Sequence, residues 1–124
     1  MSHTIKQGAD CWIEAVNIRD VRTGDPLDVT GWTVRAVARA CWSQRRRTLG
    51  QVVAEWHTSP TGSQGRITAG GDVPDRIQVH ITPEQTEGWH CPFVVIQAEM
   101  TTPMSGEIER IIDECYRVSF QAVV

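Results

Sequence analysis

Hydrophobic and polar residues alternate along most of this chain. The clearest example runs from Trp32 to Cys41, where one face carries Trp32, Val34, Ala36, Ala38 and Ala40. A period of two is typical of a β-strand with one face in the core and the other towards solvent. The same alternation recurs at residues 76–82 and 116–124, so the pattern predicts a protein built mainly from strands.

Turn residues divide this pattern into short segments. We predict strands at residues 10–21, 27–42, 51–57, 66–68, 76–82, 93–100, 107–113 and 116–124, with a bend or bulge near Gly31 and an interruption at Glu114-Cys115. Thr82 can cap a helix and Pro83 suits its first position, so we predict one short helical turn near residues 83–88, which Gly88 ends.

Seven or eight short strands with regular turn signals indicate a sandwich or a barrel. We predict an all-β fold, an antiparallel β-sandwich of immunoglobulin-like or jelly-roll type. The 124 residues form a single domain, residues 1–124, that is long enough for its own core. Residues 1–9 are polar, and we expect them to form a flexible or arm-like N-terminus.

Charge is unevenly distributed around a net charge of −3. Up to Arg47 the chain has eight Lys and Arg against five Asp and Glu, whereas residues 84–114 have seven acids and one base, Arg110. This pattern fits two solvated surfaces of different charge, or copies that attract one another within an assembly. The acidic balance gives no reason to expect nucleic acid as a partner.

The chain carries no recognisable catalytic or metal motif. Its cysteines, Cys11, Cys41, Cys91 and Cys115, are widely spaced, so we expect free thiols, no metal and no cofactor, although three disulfide pairings remain open. A cysteine nucleophile needs a base beside it in space, which the adjacency of His90 and Cys91 does not supply. We therefore predict a non-enzymatic protein.

Five tryptophans are many for this length. Trp12, Trp32 and Trp56 share the predicted buried faces of their strands, so we assign them to the core. Trp42 and Trp89 lie at strand ends or in loops, where an amphipathic ring suits a contact with a partner. The candidate interface residues are Trp42, Arg45, Arg46, Arg47, Trp89 and His90.

The N-terminus lacks the apolar run of a secretory signal, and no segment approaches the length of a membrane helix. We therefore expect the chain to fold in a cytoplasm and to have no membrane partner.

The order of these segments resembles that of small β-sandwich structural proteins of tailed bacteriophages, including the N-terminal domains of upper baseplate and tail-fibre proteins and other immunoglobulin-like virion modules. The first matching passage is Gly24-Asp25-Pro26-Leu27-Asp28-Val29-Thr30-Gly31-Trp32. The second is Val79-His80-Ile81-Thr82-Pro83-Glu84-Gln85-Thr86, followed by the hairpin of residues 93–112. These motifs shape strands and turns, so the resemblance implies a fold and a setting in the virion, and no chemistry.

The leading hypothesis is a virion structural protein, made in the host cytoplasm, that forms a homo-oligomer or docks on other virion proteins of the tail, baseplate or capsid. A capsid cement or decoration protein, or a head–tail joining protein, is the alternative within this class. A carbohydrate-binding module that uses Trp42 or Trp89 to hold a glycan is the alternative from another class. A third hypothesis is a small hydrolase built on His80 or His90 with a nearby acid.

Overall fold

A computed structural model describes residues 3–103 and 105–119. This part of the chain forms eight strands and one short helix: β1 His3–Lys6, β2 Cys11–Ala15, β3 Thr33–Cys41, β4 Val52–His57, β5 Gly65–Ala69, β6 Ile77–Ile81, α1 Pro83–Glu87, β7 Phe93–Thr101 and β8 Ile108–Ser119. The predicted all-β class is confirmed. The described helix, with five residues, is too short to cross a membrane.

The strands form one mixed sheet in the order β1-β8-β7-β3-β4-β5-β6-β2, which curls into a nearly closed barrel. The predicted antiparallel sandwich is therefore corrected. The pairs β1–β8 and β4–β5 are parallel, and the other neighbouring strands are antiparallel. Alternation along a strand shows which side faces the core, but it carries no information on the direction of the neighbouring strand.

The chain ends differ from the sequence-based expectation. The predicted arm is in part strand β1, which pairs with β8 and buries Ile5. Strand β8 continues through Glu114 and Cys115 without the predicted interruption. Its exposed Glu114 reads as a break in the apolar pattern, yet the backbone keeps its pairing with β7 at this position. Residues 120–124, the end of the last predicted strand, lie outside the described residues.

The first two predicted strands are too long, because residues 16–32 are irregular backbone with turns and one isolated bridge, between Arg19 and Pro26. Backbone φ angles of 56° at Asn17, 75° at Gly24 and 81° at Gly31 are left-handed, a region that an extended strand cannot use. The Asp28 carboxylate accepts a hydrogen bond of 3.0 Å from the Thr30 N–H and holds the last of these turns. The predicted bend at Gly31 is thus the turn that precedes β3 rather than a bulge within it.

The core fills the barrel with the inward faces that the alternation predicts. In β3, small residues occupy this face, and Ala36 lies opposite Trp56 of β4. Small side chains on one strand leave room for a large ring from the next, which is how close-packed interiors are filled. The inward face of β6, formed by Ile77, Val79 and Ile81, is also fully buried, as expected.

Trp56 also connects the two halves of the barrel. Its indole N–H donates to the His80 carbonyl oxygen of β6 at 2.8 Å and to Oε1 of Gln85 in α1 at 2.9 Å. Helix α1 presents Gln85 because Thr82 and Gln85 form a capping box at its start. The predicted helical turn and its cap are confirmed, and the helix takes part in the packing of the core.

Gly65, at the start of β5, lies directly against this junction. A Cβ atom at this position would be 2.3 Å from Cδ1 of Trp56 and 2.7 Å from Nε2 of Gln85. Both distances are shorter than any real contact, so a side chain would push the indole away from its two acceptors. The close approach of β5 to β4 therefore depends on glycine.

We predict that Gly65→Ala lowers the free energy of unfolding by about 1–3 kcal/mol, the usual cost of overpacking a core. Gly88→Ala is the matched control, because Gly88 has an ordinary φ of −85° and open space around it. Urea unfolding followed by tryptophan fluorescence measures both. Equal stability of the two variants would contradict this role for Gly65.

Candidate interaction surfaces

Residues 42–51 connect β3 and β4 in an exposed segment that we call the hairpin loop. The Gly50 N–H donates to the Ala40 carbonyl oxygen at 2.8 Å, and the Ala40 N–H donates to Gln51 at 2.9 Å, so the base of the loop is closed. Beyond this base Trp42 is 66% exposed, and Leu49 is also exposed. An indole so far from the core can contact a partner, as the sequence predicted for Trp42.

The three arginines of the hairpin loop have different surroundings. The Arg47 guanidinium forms an ion pair and a hydrogen bond with the Asp113 carboxylate of β8. Strand β7 lies between β3 and β8, so the loop crosses the outer face of β7 to reach Asp113. In the described part of the chain neither Arg45 nor Arg46 forms an ion pair, and both are exposed.

The outer face of β7 carries a buried residue. Val94 and Ile96 of β7 belong to the core, so Val95 between them points away from it, yet Val95 is only 1% exposed. The contact of Arg47 with Asp113 places part of the hairpin loop on the same outer side of β7. Arg47 is thus paired within its own chain, whereas Trp42, Arg45 and Arg46 are the candidate contacts of this loop without such a pairing among the described residues.

Part of the acidic segment is neutralised within the chain. Arg110 approaches Glu99 at 3.5 Å and Asp113 at 3.7 Å, in addition to the contact of Asp113 with Arg47. The hydrogen bond from Arg47 is the main cause that holds the pKa of Asp113 below its usual range. The exposed acids Glu107, Glu109 and Glu114 form no ion pair among the described residues.

Trp89 is not a surface residue, and its place in the candidate interface is corrected. Its ring is 1% exposed and belongs to the core, while its carbonyl oxygen accepts a hydrogen bond from the Gln7 side chain at 3.3 Å. The sequence placed Trp89 in a loop and so did not reveal its burial, because the short segment after α1 turns back into the barrel. His90, next to it, is exposed as predicted.

The sequence missed a second exposed tryptophan. Trp12 was assigned to the core but is 53% exposed, because Ile13 is the residue of β2 that points inward. Trp12 lies opposite His80 of β6, and the two rings stack with centroids 4.3 Å apart and planes within 3°. His80 was predicted to point outward, and this was the signal that could have revealed the exposure of Trp12, its cross-strand neighbour.

Polar groups surround this stacked pair. Nε2 of His80 is 3.0 Å from Oδ1 of Asp10, and Nε2 of Gln78 donates to Oε1 of Glu14 at 2.6 Å. We call the surface formed by Asp10, Trp12, Glu14, Gln78 and His80 the aromatic platform. Its chemistry suits binding, because it combines an exposed ring face with carboxylates whose positions are held by hydrogen bonds.

Two residues considered for catalysis, His80 and Cys91, lie in different surroundings. His80 has an acid beside it, but its described hydrogen bond is to Asp10 and not to a hydroxyl or thiol. Desolvation raises the pKa of the Cys91 thiol, which disfavours the nucleophilic thiolate. Among residues 3–103 and 105–119, no group of His, Cys, Asp and Glu has an arrangement suited to a metal ion.

No protein-family description matches the chain, and no curated protein matches it significantly.

We predict that Asp113→Asn destabilises the protein by less than about 1 kcal/mol at neutral pH, as is usual for an exposed ion pair. The pKa of Asp113 is lowered in the folded state, so its contribution is complete above the pKa of the unfolded chain and is lost as the pH falls through the lower folded value. Urea unfolding at neutral and strongly acidic pH measures this loss. Asp72→Asn, at an exposed position, is the control. If Asp113→Asn remained less stable to urea than the control at strongly acidic pH, the ion pair of Asp113 would not be the cause of the loss.

We also predict that thiol reagents modify Cys11 and Cys115 before Cys41 and Cys91. All four cysteines are free thiols. Cys11 and Cys115 are half-buried, whereas Cys41 and Cys91 are buried. Mass spectrometry after timed alkylation, with and without denaturant, measures the order. Modification of native Cys91 as fast as Cys11 would contradict the burial described above.

Proposed function

We propose that this protein is a non-enzymatic building block of a bacteriophage virion, which assembles by docking its hairpin loop on an acidic surface of a neighbouring copy. The virion setting rests on the resemblance of the two sequence passages to tailed-phage structural proteins. The observation that carries the mode of assembly is the exposure of Trp42 beside Arg45 and Arg46.

The composition of the hairpin loop supports a role in binding. Tryptophan and arginine are the residue types most enriched among those that dominate the binding energy of protein interfaces. Trp42 and Leu49 supply apolar area, and the two arginines supply charge around it. The ion pair of Arg47 with Asp113 holds the loop against the barrel, so less conformational freedom is lost when a partner binds.

Charge complementarity favours a second copy as the partner. The chain has a net charge of −3, and its unpaired acids lie on surfaces other than the hairpin loop. A contact between two different surfaces of the same protein is heterologous, so it produces a ring when the rotation closes and a filament when it does not. Rings and tubes are the shapes from which tails, baseplates and head–tail joints are built.

Two other partners follow from the same surface. An acidic site on a larger tail, baseplate or capsid component would offer the hairpin loop the same kind of charge, as for a decoration protein. A glycan could stack on Trp42, the exposed member of the two tryptophans considered for that role.

Light scattering after size exclusion, at low and high salt, tests self-assembly. We expect an oligomer that dissociates with salt, because the contact depends on exposed charges. The double variant Arg45→Glu, Arg46→Glu should be monomeric. The control Arg22→Glu, Arg66→Glu makes the same change in charge at exposed positions outside the loop and should assemble normally.

Two results would contradict the proposal. A wild-type monomer at every salt concentration would exclude self-assembly through charge. Equal assembly of the loop variant and the control would show that Arg45 and Arg46 are not at the contact. Negative-stain electron microscopy of the wild type then distinguishes rings or tubes from irregular aggregates.

A further inference from the structure

The aromatic platform lies at an open edge of the sheet. Strand β2 is last in the strand order and is hydrogen-bonded to β6 on one side. The Trp12 ring stacks on His80 of β6, so its other ring face points away from β6, towards the open edge. This free face accounts for an exposure of 53% in a ring that is already stacked on one side.

Two carboxylates flank the free ring. Asp10 and Glu14 lie two residues before and after Trp12, a spacing of about 7 Å on either side along an extended chain. Their described hydrogen bonds use Oδ1 of Asp10 and Oε1 of Glu14. The second oxygen of each carboxylate is therefore available to an incoming donor.

This combination matches the chemistry of a guanidinium group. Arginine is planar, stacks on aromatic faces and donates several hydrogen bonds to carboxylates at the same time. Asp113 of β8 and Glu99 of β7 offer a poorer site, because both already contact arginines of their own chain. Of the acidic surfaces described, the platform is the one that joins free carboxylate oxygens to an exposed indole.

Within one chain the hairpin loop and the platform do not satisfy each other. Arg47 contacts Asp113 of β8, and in the described part of the chain neither Arg45 nor Arg46 forms an ion pair with Asp10 or Glu14. Both halves of the contact are therefore open to successive copies, which can dock head to tail.

We propose that the aromatic platform is the acceptor for the hairpin loop of a neighbouring copy, with the guanidinium of Arg45 or Arg46 stacked on Trp12 between Asp10 and Glu14. This inference rests on the proposed function, since it names the second half of the same contact. It makes each copy both donor and acceptor, as a ring or tube requires.

A mixing experiment tests this pairing. The platform variant is Trp12→Ala, Asp10→Asn, Glu14→Gln, and the loop variant is Arg45→Glu, Arg46→Glu. We expect each variant alone to be monomeric, with assembly weakened at least about 10-fold, as for the loss of a central contact. An equimolar mixture should form a heterodimer and nothing larger, because it contains one intact loop and one intact platform per pair.

The control Glu107→Gln, Glu109→Gln removes two exposed acids outside the platform and should assemble like the wild type. Circular dichroism verifies that each variant is folded. Trp12 is not in the core, and the single variant Trp12→Leu provides a second test if the triple variant fails to fold.

Different results identify which idea fails. Normal assembly of the folded platform variant, with a monomeric loop variant, would overturn the platform as acceptor and leave the proposed function intact. Normal assembly of the loop variant would overturn the proposed function itself. Unchanged assembly of the platform variant together with Trp12-dependent binding to a glycan array would assign the platform to a sugar and overturn the arginine site.

Discussion

The hydrogen bonds of one buried indole hold this fold together. Trp56 of β4 reaches across the barrel to the His80 carbonyl and to Gln85 of α1, which joins the half of the sheet that contains β3, β4, β7 and β8 to the half that contains β2, β5 and β6. The small Ala36 opposite it and Gly65 beside it leave the space that the ring needs. Direct pairing between the halves is short, with two residue pairs between β4 and β5, so the indole supplies much of the connection.

The same connection relates the interior to the surface. The His80 carbonyl oxygen accepts the hydrogen bond from the Trp56 indole, and the His80 ring lies on the outer face, where it stacks on Trp12. His80 therefore links the aromatic platform directly to the hydrogen bonds of the buried indole. Elsewhere on the outer surface, Arg47 holds the hairpin loop against β8 and leaves Arg45 and Arg46 exposed. Rigid support of this kind is what an assembly contact needs, because less order has to be created on binding.

Local signals in the sequence predicted local structure well. The alternation of β3 identified its buried residues, and the Thr82 and Pro83 signal identified α1, since both depend on neighbouring residues alone. The candidate site was predicted only in part. Trp42 is exposed as expected, whereas Trp89 lies in the core and Trp12 lies on the surface, the reverse of the expectation for both. An aromatic ring suits either environment, so its residue type does not decide between them.

By itself, the sequence determined the all-β class, most of the inward faces and the capped helix, because periodicity and capping act over a few residues. Only the tertiary structure decided that the sheet is mixed and nearly closed, that β1 pairs with β8, and that Arg47 meets Asp113. Those features join residues that are distant in the chain, such as Ile5 with Val118 and Arg47 with Asp113. Their pairing depends on how the whole sheet closes, which no short stretch of the chain encodes.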